Sequence, residues 1–441
     1  MIVRLKAGSL VHGGETLARH EGRVVFLRGA APGDWVEAEL SGGAGRFERA
    51  RALRVVERGG ARVDPPCPIV DSCGGCPVQQ VSYQAQLAAK SELTADALER
   101  IGGFARGSYQ LSPIVPAAKQ FHYRRRARMH RAGQGRWGFA QAGESGVYPV
   151  GECLLFEPEL QQLADLVRGA GDLPGVTDLG LLSGSSGKGA IDLHGEITPG
   201  LRKRAEKLLS LEQVKGVTLS GTPSSARAHG VPTFASSGTP CSARANGVPI
   251  FELLGDPVIA DPPLPNGARL RARPDTFTQA NRSMVPLLQG EVLRAVGDAP
   301  RVLELFCGSG TLTLPLLGGG RSVTAVESAG PALALLRRSA DEAGLAVHLI
   351  AGDAAEIARG FTGQIDAVLL DPPRTGAAAA VKALKAPRVV YVSCDAPTLA
   401  RDGKLLAQSG YRLVKAVALD LFPQTAHFEI VATFERGVAQ R

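Results

Sequence analysis

The sequence predicts an α/β chain: a doubly wound, mostly parallel sheet at the C-terminal end, preceded by a small OB-like β-barrel and an α+β central region. Three observations carry this. Beyond about residue 300, five apolar strand candidates alternate with helical stretches: Arg301–Phe306, Ser322–Val326, Val347–Ile350, Ala367–Leu370 and Arg388–Val392. Continuous apolar strands joined by helices indicate a parallel sheet covered on both faces. Residues 1–62 instead hold short alternating runs, such as Arg23–Leu27 and Trp35–Leu40, separated by turns like Ala31-Pro32-Gly33-Asp34. About five short strands in that length fit a small barrel. Between the two regions the composition shifts to a cysteine-rich loop and a run of arginines.

After the barrel, the loop from Asp64 to Pro77 leads into a helix expected over Ser82 to Ile101. Ser82 is its cap, Leu87, Thr94, Leu98 and Ile101 share one face, and Gly102-Gly103 end it. A second helix is expected near Pro158 to Arg168. Residues 225–232 recur, nearly unchanged, at 242–249, which reads as a local duplication in a surface hairpin or loop. Two last strands, Arg412–Ala418 and His427–Phe434, complete the C-terminal sheet. The expected division is a barrel over 1–62, a central domain over 63–268 and a catalytic domain over 269–441, with the 82–101 helix packing on the last.

The composition, 44% hydrophobic and 21% charged in 441 residues, is that of a globular protein. No apolar run approaches the roughly 20 residues a membrane helix needs. Met1 to Leu10 has no apolar core, so a signal peptide is not expected and the cytoplasm is the expected compartment. Seven cysteines without an export signal do not suggest a disulfide framework. No feature demands an oligomer, and a monomer is expected. The net charge of +8 favours an anionic partner, with nucleic acid the usual one. From Ile101 to Gly143 there are eight Lys or Arg residues and no acid. Lys119, Tyr123, Arg124, Arg125, Arg126 and Arg128 are therefore expected to meet nucleic acid, the basic residues at phosphates and the aromatics by stacking. The plainer alternative is a solvated charged face.

Four motifs carry chemistry. The first C-terminal strand runs into Phe306-Cys307-Gly308-Ser309-Gly310-Thr311, a glycine turn that lets a ligand approach backbone. Glu327 ends the next strand, seventeen residues after Gly310, where an acid binds a ribose diol. The pair points to an adenosine cofactor. A dinucleotide fits less well, because Thr313 stands where its fingerprint needs a third glycine. Asp371-Pro372-Pro373-Arg374 follows the fourth strand, its prolines holding Asp371 at the edge where ligands bind. Ser393-Cys394-Asp395 follows the fifth and offers a nucleophile at the same edge. Glu429, an acid in an apolar run, is either a solvent-facing strand residue or a general base. Separately, Cys67, Cys73 and Cys76, with Cys153 as a fourth, have the makings of a metal site. Four thiolates suit zinc or an iron–sulfur cluster, and spacing does not choose.

In order along the chain, these motifs resemble the RNA 5-methyluridine methyltransferase family. Thr276-Phe277-Thr278-Gln279-Ala280-Asn281 resembles its Phe-x-Gln-x-Asn segment, and Phe422-Pro423-Gln424-Thr425-Ala426-His427-Phe428-Glu429 its closing motif. The resemblance implies a Rossmann-like class I methyltransferase sheet, a TRAM barrel, S-adenosylmethionine as methyl donor and a four-iron four-sulfur cluster on the four cysteines. It implies that Cys394 adds to carbon 6 of uracil and that Glu429 removes the carbon-5 proton. It places Gln279, Phe306, Gly308, Gly310, Thr311 and Glu327 around the cofactor, with Asp353 near the adenine. Asp371 would hold the uracil edge or the amino-acid end of the cofactor. The combination of barrel and cysteines most resembles members acting on 23S ribosomal RNA, with transfer RNA the alternative. Asp395 and Thr311 depart from the family, which commonly has Asn at both places. Two rivals are an amino-group methyltransferase, which has no use for Cys394 or Glu429, and a non-catalytic iron–sulfur RNA-binding protein.

Overall fold

The computed structural model describes residues 1–41, 47–143, 145–223, 233–234, 240–241 and 250–437. The duplicated segments at 225–232 and 242–249 lie outside the described residues. Strands Ile2–Lys6, Thr16–His20, Arg23–Arg28, Trp35–Leu40 and Phe47–Glu57 form one five-stranded sheet. Its alternating residues Leu5, Val25, Leu27, Val36 and Ala38 point inward and make a small core. The catalytic sheet has eight strands, labelled in chain order: β1 (Gln110–Val115), β2 (Arg301–Leu305), β3 (Ser322–Glu327), β4 (His348–Ala351), β5 (Ala367–Leu370), β6 (Arg388–Ser393), β7 (Tyr411–Leu419) and β8 (Glu429–Arg436). Their order is β4-β3-β2-β5-β6-β8-β7-β1. All five predicted strands from β2 to β6 form, and run parallel. Neighbouring residues bury on opposite faces: Leu303, Leu305, Val368 and Leu370 in one core, Val302, Ala367 and Leu369 in the other. That is why these strands are apolar throughout.

Helix α1 (Tyr83–Arg100) forms as expected, with Ser82 Oγ accepting from Ala85 N at 3.4 Å. Its buried face keeps Thr94 and Leu98 from the predicted one but is turned away from Ile101. Gln86, Lys90, Thr94, Ala97 and Leu98 are buried, while Ile101 is exposed. The reason is the surface α1 meets. Lys90 Nζ donates to Asp420 Oδ1 at 2.6 Å and to Phe422 O at 3.2 Å, and Gln86 Nε2 donates to Gln424 Oε1 at 3.0 Å. The first half of the helix faces a polar loop while Leu93, Ala97 and Leu98 in the second half join the apolar core, so apolar periodicity found only part of the face. α1 thus packs against the C-terminal sheet and β1 is its edge strand, although both precede the expected boundary at residue 269.

The basic stretch also differs from expectation. Arg126–Arg131 is an interior strand of a seven-stranded central sheet, between Val176–Ser183 and Trp137–Ala140. The two-residue period of a strand sends alternate side chains inward. Tyr123 and Arg125 are buried and cannot meet RNA. Tyr123 donates its hydroxyl to Pro423 O at 3.0 Å. Arg125 is held by Asp261 at 2.5 and 2.6 Å, by Gln279 O at 3.1 Å and by Thr278 Oγ1 at 2.8 Å. Arg124 and Arg126 are half-buried, and Lys119 and Arg128 face solvent. Among the described residues, no helix is long and apolar enough to cross a membrane.

Candidate active site

Because β2 to β6 are parallel, the residues that follow their ends share one sheet edge: the glycine turn, Glu327, Asp353, Asp371 and Cys394. The antiparallel β8 returns to the same edge. Ser393 of β6 pairs with Ile430 of β8, so Cys394 and Glu429, one step outward on each strand, flank one another. Sequence motifs far apart are thereby brought together by register alone.

The glycine turn is tightly wound. Phe306 holds φ at 65°, Gly308 at 54° and Gly310 at 90°. Positive φ at a phenylalanine is strained and is retained at sites where backbone must be aimed. A Cβ on Gly310 would come within 2.4 Å of the Leu336 side chain on the helix Gly330–Glu342, and its φ of 90° also favours glycine. Glu327 is tied to the turn: its Oε2 accepts from Gly308 N at 3.0 Å and its Oε1 from Ala329 N at 2.8 Å. Asp353 caps the helix α2 (Ala354–Gly360), accepting from Ala355 N at 2.9 Å and Glu356 N at 3.0 Å. Thr311 is partly buried beside the turn, and its carbonyl accepts from Gln289 Nε2 at 2.8 Å. Gln279 is buried, and its Oε1 has no partner. A buried bare acceptor costs stability, and a bound donor such as an ammonium group would satisfy it. In this respect the pocket fits S-adenosylmethionine.

At the reacting end, the Cys394 thiol is pushed up by burial and by Glu429, while a hydrogen bond and charge from Arg374 pull it back. Glu429 is fully enclosed. Burial and the neighbouring Asp371 raise it well above the usual carboxylate range, against the pull of Arg374. Burial likewise raises Asp371. Each of two neighbouring buried carboxyls disfavours the ionisation of the other. Behind them, Glu304 is pushed up to about 8 by burial, with Asp371 adding to it. His427 is pulled down to about 4 by burial and by the nearby cations Arg374, Arg124 and Lys90, which favours a neutral ring at pH 7.

Four residues of this site had no assigned role from sequence: Arg374, His427, Glu304 and Phe277. Arg374 Nη2 lies 3.2 Å from His427 Nε2. Phe277 is 67% exposed, with the Arg126 guanidinium 5.9 Å from its ring centre. All four lie inside motifs or strands already singled out, Glu304 in the strand that runs into the glycine turn, but a motif shows that a residue is near the chemistry without saying which way it faces.

Cys67, Cys73, Cys76 and Cys153 are free thiols that line one pocket. Burial raises the last three, each opposed by hydrogen bonds that favour a thiolate: from Gly75 to Cys73, from the Gln79 side chain to Cys76, and from Leu155 and Phe156 to Cys153. Among the described residues, no three His, Cys, Asp or Glu side chains converge tightly enough for a single metal ion.

Comparison with known proteins bears on this geometry. The profile of the tRNA (uracil-5-)-methyltransferase family matches residues 266–436. The 23S rRNA (uracil(1939)-C(5))-methyltransferase RlmD of Shewanella amazonensis is 32% identical, over 98% of this chain and 95% of that protein. The RlmD of Dechloromonas aromatica is 31% identical, over 98% of this chain and 99% of that one. The crystal structure of the Pyrococcus abyssi tRNA (uracil-54, C5)-methyltransferase with S-adenosyl-L-homocysteine superposes with a TM-score of 0.71. It is 23% identical, covers 98% of this chain and all of that one, and shares its fold. The chain belongs to the RNA uracil-5 methyltransferase family.

Proposed function

We propose that this enzyme methylates carbon 5 of a uridine in 23S ribosomal RNA through a covalent bond between Cys394 and the base. The observation that carries the reading is the meeting of Cys394 and Glu429 at the paired ends of β6 and β8, with Arg374 beside the sulfur. The ribosomal substrate is favoured because relatives named for it match along 98% of the chain.

Carbon 5 of uracil is a weak nucleophile. Cys394 adds as thiolate to carbon 6, and the displaced electron pair makes carbon 5 enolate-like. Arg374 stabilises the thiolate before attack. S-adenosylmethionine, when bound, supplies the methyl group that carbon 5 takes up. Glu429, as carboxylate, removes the carbon-5 proton. The carbon–sulfur bond then breaks, restoring the ring double bond and the thiolate. The base has exchanged one proton for one methyl group. Gln279, Phe306, Gly308, Gly310, Thr311, Glu327 and Asp353 line the donor's pocket, and Asp371 holds the uracil edge or the donor's amino-acid end. A stacked base cannot reach this edge, so the target is single-stranded or flipped out. Phe277 with Arg126 offers a stacking platform at the mouth, and Lys119 and Arg128 offer phosphate contacts.

The four cysteines, in our reading, hold a four-iron four-sulfur cluster. Support comes from four thiols around one pocket and from hydrogen bonds that favour the thiolate at Cys73, Cys76 and Cys153. The cluster would tie the 67–76 loop to Cys153, and, two residues on, the Leu155 carbonyl accepts from Tyr123 N at 3.0 Å and Arg124 N at 2.7 Å. Iron and sulfide in anaerobically purified protein check it, and zinc without iron would reverse it. For the activity, RNA tritiated at carbon 5 of uracil is offered as a 23S transcript and as transfer RNA. Tritium release from the 23S transcript is expected. Release from transfer RNA alone would move the substrate, and release from neither would end the carbon-5 reading.

A further inference from the structure

We infer that His12, presented by the N-terminal barrel, is a positioning residue for Cys394 and acts through Asp395. The inference rests on the reading of Cys394 as nucleophile. His12 Nε2 lies 3.0 Å from Asp395 Oδ2, across 383 residues of sequence. It is a direct contact between the barrel and the loop that bears the sulfur.

Both sides of this contact are held. His12 sits on a tight turn in which Val11 N donates to Glu15 O at 2.8 Å and Gly14 N donates to Val11 O at 3.0 Å. Gly13 and Gly14 adopt φ of 97° and 87°, and a Cβ on Gly14 would meet Pro77 and Val78 at 3.0 Å. The turn is therefore both constrained and docked. On the other side, Asp395 Oδ1 accepts from Thr398 N at 2.9 Å and so caps α3 (Ala396–Gln408). The Asp395 N–H donates to Ser393 Oγ at 3.1 Å. Thr398 Oγ1 in turn donates to Arg374 O at 3.0 Å. The residue next to the nucleophile is thus fixed by its own strand, by its helix and by the barrel.

Capping alone does not require this carboxylate, since Asn or Ser caps a helix as well as Asp does. The second oxygen is the part that capping leaves over, and it is the one His12 engages. A carboxylate beside a sulfur that must ionise, and beside a polyanionic substrate, is unfavourable unless a donor offsets it. An imidazole N–H does so here. Seating the barrel and orienting Cys394 become one event, so that a barrel displaced from the cleft leaves the sulfur poorly aimed.

The test uses the full chain with four variants: His12→Ala, His12→Gln, Asp395→Ser, and His12→Ala with Asp395→Ser. Serine keeps the cap but cannot reach His12. Single-turnover tritium release at saturating RNA is expected to fall about tenfold in His12→Ala and in Asp395→Ser, with the pair no worse than either alone. His12→Gln keeps a donor and should recover most of the rate. The affinity for RNA should change less than about twofold, because neither side chain is used as a phosphate contact. Full activity in His12→Ala, additive losses in the pair, or a loss confined to RNA affinity would each overturn the inference. Full tritium release from Cys394→Ala would instead remove the nucleophile reading itself, whatever His12 does.

Discussion

Two sets of buried ionisable groups lie within one catalytic body, and they are arranged in opposite ways. Arg125 with Asp261, and Lys90 with Asp420, are close pairs bound further to carbonyls and hydroxyls. Asp371, Glu429 and Glu304 are carboxyls crowded together, each raised by burial, and Asp371 raises both Glu429 and Glu304, with Arg374 the cation that opposes this at Glu429. The paired set braces the chain: Arg125 anchors the Gln279 segment, and Lys90 anchors the loop leading to Glu429. The unpaired set stores the ability to take and give a proton. A buried charge that is satisfied marks structure, and one left unsatisfied marks chemistry.

The largest effect expected from this contrast lies at the sulfur. Cys394→Ala should lower turnover by on the order of 10⁴-fold or more and abolish any protein–RNA adduct, checked by tritium release and by denaturing gels. Glu429→Gln should lower turnover by about 10² to 10⁴-fold and accumulate the adduct, because the bond to Cys394 forms but the carbon-5 proton stays. The same variant should unfold no more easily than the parent, since it removes a carboxyl that burial disfavours. Absence of adduct would take the base role from Glu429. At the braced set the reverse is expected. Arg125→Met strands Asp261 and should cost about 3 to 5 kcal/mol, read from urea denaturation. Unchanged stability would erase the distinction drawn here.

Smaller effects sharpen the comparison. Glu429 and Cys394 are both raised, so their reactive, ionised forms become more populated as pH increases. Single-turnover rates should therefore climb from neutral into mildly alkaline solution, by up to about tenfold per pH unit. A flat profile would mean that neither ionisation controls the chemistry. The folded state, by the same shift, favours the protonated carboxyl and loses stability as pH rises through its raised value. Smallest of all, Lys119→Ala and Arg128→Ala should each weaken RNA binding a few-fold and lower the salt slope by about one. Binding assays over a salt series read both.

Much of the site was legible because its chemistry is written in short motifs at strand ends. Cys394, Asp371 and the glycine turn each follow an apolar strand, and parallel strands must end at one edge. Glu429 was visible only as an acid in an otherwise apolar run, and the antiparallel register of β8 against β6 brought it beside Cys394. Arg374 and His427 were visible as letters of motifs, but their mutual contact depends on how two loops fold over the edge. The basic run was misleading because charge composition carries no direction. Strand alternation buried Tyr123 and Arg125 and left Lys119 and Arg128 outside.

The sequence alone determined the order of strands and helices, the residues at the sheet edge and the four cysteines, since local periodicity and turn chemistry act over a few residues. Tertiary structure decided which polar groups found partners. Lys90 meets Asp420 across 330 residues, and His12 meets Asp395 across 383. No local pattern encodes such pairs, because desolvation and pairing are properties of the closed fold rather than of any segment of the chain.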